Sequence, residues 1–118
     1  MEMYGLVLGV DVRDSMFYDQ MTGEGTPAFT LVLEVVDMGI KARPKHTCQI
    51  QEGYPLVDEL KALKKQKRPA EELVQLAEEL KVQAAQLELQ HVHLEVQQVR
   101  ANGGFSKLIC RLASEQAA

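Results

Sequence analysis

The chain has 118 residues, of which 46% are hydrophobic and 25% charged, with a formal net charge of −4. That length suits one domain with a real core, residues 1–118 taken together, and the composition sits in the ordinary globular range. No apolar run approaches the roughly 20 residues of a membrane span, and the opening MEMYGLVLGVDV lacks both the basic region and the cleavage site of a secretory leader.

Two widely spaced cysteines, Cys48 and Cys110, form no disulfide framework, so a reducing, cytoplasmic location is expected. The charge is unevenly spread: residues 1–40 carry −6, residues 41–68 carry +5 and residues 69–118 carry −3. A basic middle in an acidic chain can create a local anion-attracting face.

In chain order, Tyr4–Arg13 alternates Leu6, Leu8, Val10 and Val12 toward one face, with Gly5 and Gly9 on the other. Gly9 inside this first strand points to a bulge or sharp bend, and the strand is expected to resume at Ser15–Asp19. Met21–Pro27 (MTGEGTP) reads as a loop. Ala28–Val36 is the clearest strand: Phe29, Leu31, Leu33 and Val35 alternate with Thr30, Val32, Glu34 and Val36, the period of a pleated surface. Ile40–Gln51 reads as a third strand, with Pro44 marking an edge or bulge.

Helical chemistry follows. Pro55 suits the first turn of a helix, Asp58 and Glu59 lie near its positive end, and Leu56, Leu60 and Leu63 form one stripe to about Lys65. Pro69 opens a second helix with Glu71 and Glu72 in its first turn and a stripe of Leu73, Leu76 or Ala77, Leu80 and Ala84. Its end is open, because residues 82–90 contain no breaker, yet His91–Arg100 alternates Val92, Leu94 and Val96 like a strand. Asn102-Gly103 then gives a hairpin signal before a last strand, Phe105–Leu112.

The expected fold is therefore α+β, with a mainly antiparallel five-stranded sheet, a three-strand meander, a helical insertion at about 55–85 and a C-terminal hairpin. This order resembles the OB-fold, a curled barrel with a helix between its third and fourth strands. It is similar to the small OB-fold single-stranded DNA-binding proteins of phage, plasmid and mobile-element type. The resemblance implies binding of single strands across the meander, commonly by a homo-oligomer, with a dimer favoured.

That chemistry needs cations for phosphates and exposed aromatic faces for bases. Lys41, Arg43 and Lys45 stand at spacing two, placing three cations on one face of a strand, with Arg13 as a neighbour through the first strands. Phe17, Tyr18 and Phe105 are the stacking candidates, and Arg100 and Lys107 flank the last hairpin. The alternative for KARPK is charge that guards an edge strand against pairing. Lys61, Lys64, Lys65, Lys67 and Arg68 form a second basic cluster, read as a solvated helix end complementing the dipole.

His46, Cys48, His91 and His93 have ligand chemistry in two i, i+2 pairs, which would meet only if their strands were adjacent, and the expectation is no metal. No phosphate loop, nucleophile elbow or H-E-x-x-H motif occurs, so neither an enzyme nor a cofactor is expected. A competing function uses the amphipathic helix 69–90, whose Leu73, Leu76, Leu80, Ala84 and Leu87 approximate a heptad seam, as the docking face of an adaptor or inhibitor.

Overall fold

The computed structural model describes residues 1–18, 20–102 and 105–116, and of the side chains of Phe17, Asn102, Phe105, Ser106 and residues 114–116 nothing is described. The elements are β1 (Glu2–Tyr18), β2 (Gly25–Asp37), β3 (Lys45–Glu52), α1 (Pro55–Lys65), α2 (Ala70–Ala84), a 3-10 turn (Ala85–Leu87), β4 (His91–Asn102) and β5 (Phe105–Gln116). The fold is α+β: two helices and a five-stranded sheet that closes on itself in the order β1-β2-β3-β5-β4. Pairs from Glu2↔Glu95 to Leu6↔His91 join β4 back to β1.

The sheet is mixed rather than mainly antiparallel, because β3 and β5 run parallel from Thr47↔Lys107 to Glu52↔Arg111. The cause is connectivity. The helical segment carries the chain away from β3, and the β4–β5 hairpin then returns it in the direction of β3, the longer connection that a parallel pair requires.

The alternating faces of β2 set the interior. Leu31, Leu33 and Val35 are buried, Phe29 packs partly against them, and Cys48, Ile50, Leu94, Leu108, Cys110 and Leu112 join from the other strands. Each fully buried leucine contributes about 1.5–3 kcal/mol of hydrophobic stabilisation. The helices add to the same cluster through Leu56, Val57 and Leu60 of α1 and Leu73, Leu80 and Ala84 of α2.

β1 departs from its expected phase. Met3 and Val7 are buried, while Leu8 is 40% exposed, so Leu6 and Leu8 do not form the inner face. A register shift between Val7 and Gly9 inserts Leu8 as an extra residue, after which Val10 and Val12 pack inward. The Val7 backbone is held where α2 ends: Leu89 N–H donates to Val7 O at 2.7 Å and Val7 N–H to Gln90 O at 3.0 Å. These bonds, with Leu89 at φ 65, settle the helix-to-strand change between residues 84 and 91.

Two glycines are required by close approach. A Cβ on Gly5 would lie 2.1 Å from Val35 Cγ1. Gly53, which turns the chain from β3 into α1, has φ +91, and a Cβ there would meet Leu112 O at 2.2 Å.

Candidate nucleic-acid interface

The inner residues of β2 and β3 fix which side chains face outward. Register pairs Val32 with Gln49 and Gln49 with Ile109, and Ile109 stands opposite Gln98 on β4. This row crosses four strands on the outer surface without a formal charge. Val32 and Ile109 are sunk to 2% and 1% exposure, so Gln49 and Gln98 present the row to solvent. The next row holds Glu34, Thr47, Lys107 and Arg100. Within it Thr47 Oγ1 donates to Glu34 Oε1 at 3.0 Å, which engages the acid within the sheet.

The basic segment 41–68 brackets β3, and its two halves fall at opposite ends of that strand. Lys41 and Arg43 are not on a strand as expected, because β3 starts only at Lys45. Residues 38–42 turn, Arg43 takes φ 52, and Asp37 N–H donates to Pro44 O at 2.8 Å to close the connection. Arg43 Nη1 donates back to Met38 O, holding the guanidinium over the turn. Alternating cations imitate a strand, whereas proline and a left-handed residue dictate a turn. All three cations are nevertheless exposed together at the start of β3.

Arg100 and Lys107 share this end. They face one another across β4 and β5, and Lys107 also stands opposite Thr47, two residues from Lys45. The closed sheet therefore brings together five of the predicted cations.

Arg13 and Tyr18 belong to the other end. They ride on the β1–β2 arm, which extends past the last β3 partner, Leu31, to the pair Tyr18↔Gly25. Tyr18 is 70% exposed, while Arg13 is tied to Asp11 at 3.3 Å. Phe17 and Phe105 lie within β1 and β5, but as stacking candidates their side chains fall outside the described residues.

A cleft at this second end carries the basic cluster that sequence reasoning assigned to a solvated terminus. Thr30, Gln49 and Gln51 from the outer sheet, with Lys61 and Lys64 from α1, line a space of ≈ 260 Å³. Its floor is apolar: Phe29, Val57, Leu60 and Leu73. An adjoining space of ≈ 350 Å³ adds Lys67 and Arg68 opposite Glu24 and Thr26. Arg68 is held by a two-pronged pair with Glu72, with both contacts at 2.7 Å. The same hydrogen bonds lower the Glu72 carboxyl below its ordinary range and raise the Arg68 guanidinium further. The sequence signal for this cleft was present in the i, i+3 spacing of Lys61, Lys64 and Lys67. What faces them was not.

The metal-ligand candidates do not converge. His46 and Cys48 lie on β3 and His91 and His93 on β4, with β5 between those strands. His93 instead stacks on Tyr4 with ring centroids 4.3 Å apart and stands 3.3 Å from Glu2. Among the described residues, no group of three or more His, Cys, Asp or Glu is placed to hold a metal ion.

The cysteines, distant in sequence, are neighbours on β3 and β5 and fully buried. A hydrogen bond to the Cys110 sulfur, reinforced by burial, pushes the Cys48 thiol well above its ordinary range. That suits a small apolar side chain in the interior rather than a nucleophile.

The heptad-like seam of α2 is used internally. Leu73, Leu80, Ala84 and Leu87 belong to the main core, with Leu76 packed partly against it. Among the described residues, no helix is long and apolar enough to cross a membrane. Comparison with protein-family models, with curated proteins and with solved structures finds no match.

Proposed function

We propose that this protein is a non-enzymatic single-stranded DNA-binding protein of the OB type, holding the strand across the outer face of β2, β3 and β5. The observation that carries the reading is the layout of that face: an uncharged row of Val32, Gln49, Ile109 and Gln98 with cations beyond both ends of β3. Bases can lie over the neutral row while phosphates reach the cationic ends, and neither contact demands a particular base. Lys41, Arg43, Lys45, Arg100 and Lys107 form one end of the path. Tyr18 supplies an exposed ring and Arg13 a cation at the other.

Fluorescence anisotropy of a labelled oligothymidine, titrated at low and moderate salt, tests this. The expected result is binding that weakens steeply as salt rises, because each neutralised phosphate of a single strand contributes about 0.7 to the log–log slope. Absence of binding at low salt would overturn the proposal.

A further inference from the structure

The leucine seam of α2 packs into the core, and the Cys48–Cys110 pair is buried there as well. The cleft between β2, β3 and the helical hairpin remains, and it has features of both a surface and a pocket. We propose that this cleft is a nucleotide subsite, where one base of the bound strand enters over an apolar floor and the adjacent phosphates are held by Lys61, Lys64 and Lys67. The inference rests on the single-strand reading and extends its path beyond the sheet.

Three features support it. The cleft opens onto the proposed path, because Thr30 and Gln49, which line it, are themselves outward-facing residues of β2 and β3. Its floor and rim differ in chemistry: Phe29 and Leu73 lie at the bottom, and Lys61 and Lys64 stand on α1. A nucleotide has the same division, an apolar base face beside an anionic backbone. The adjoining space then continues the cationic lining through Lys67 and Arg68. Arg68 pairs with Glu72, and the variant below leaves that pair in place.

The test compares two oligothymidines, of about 6 and about 16 nucleotides, spanning the site sizes usual for one OB-type domain. Each is titrated against the full chain and against the triple variant Lys61→Gln, Lys64→Gln, Lys67→Gln, with a thermal melt confirming that the variant is folded. These lysines are exposed, so the melt should change little. The expected result is that the variant weakens the long oligonucleotide about tenfold more than the short one and lowers its salt slope by about 2.

Equal affinities and slopes for the variant and the parent chain on the long oligonucleotide would overturn the subsite while leaving the sheet reading intact. An equal loss on both lengths would also overturn it, since the lysines would then act through general charge alone. If the parent chain binds neither length, the sheet reading fails and takes the subsite with it.

Discussion

Around the start of β3, five cations stand on a tight turn, on the first residue of the strand and on the facing pair Arg100↔Lys107 of β4 and β5. After β3, lysines of the helical hairpin face outward-pointing residues of the sheet across a cleft with an apolar floor. The two regions carry charge of the same sign through different backbones, and this changes what the charge can do. A flat array attracts phosphates from solution and is weakened strongly by salt. A cleft that also covers apolar surface adds a contribution that salt leaves standing. In the proposed single-strand reading, long-range attraction falls to the start of β3 and retention to its end.

The largest expected effect removes the structural basis of this contrast. Gly53→Ala places a Cβ against the Leu112 carbonyl at a positive φ. It should cost about 3 kcal/mol, the sum of a strained backbone and local overpacking. Thermal melts check it, and an unchanged Tm would show that the turn into α1 is not held as described. Next comes the triple variant Lys41→Ala, Arg43→Ala, Lys45→Ala, expected to lower oligothymidine affinity about tenfold at moderate salt and the slope by about 2.

Tyr18→Ala tests the arm. Loss of one stacked base should cost about 1 kcal/mol in affinity while leaving the salt slope unchanged. A change in slope would instead mean that the arm acts through charge.

The smallest effect concerns Glu72. Its carboxyl is depressed by the Arg68 hydrogen bonds. The pair's contribution to stability is therefore present above the ordinary carboxylate pKa and lost as pH falls through the lowered one. Glu72→Gln should reduce Tm slightly at neutral pH, and the difference should vanish in acid. A constant difference across pH would contradict the pairing.

Where one face of a strand is buried and the chain is regular, the sequence was sufficient. The β2 alternation, the leucine stripes of both helices and the inward Val92, Leu94 and Val96 of β4 all appear as read. Irregular points were less legible. Leu8 is apolar on either face, so nothing but Gly9 warned that a bulge would shift the phase of β1. KARPK has the charge spacing of a strand, and only the turn geometry at Arg43 reveals otherwise. The parallel β3–β5 pair depends on where the helical segment returns the chain, which no local pattern encodes. Closure of the sheet also determines which predicted residues meet. Arg100 and Lys107 join the KARPK cations, Tyr18 and Arg13 do not, and the lysines of α1 acquire a cleft.

We propose that a single strand crosses the outer face of β2, β3 and β5. Amide NMR of the isotopically labelled chain, recorded as unlabelled oligothymidine is added, tests it most directly. The expected result is a continuous track of shifted signals at Val32, Thr47, Gln49, Lys107 and Ile109, fading toward the β1–β4 seam at Glu2–Leu6. Shifts concentrated on that seam, or none at saturating oligothymidine, would contradict the account.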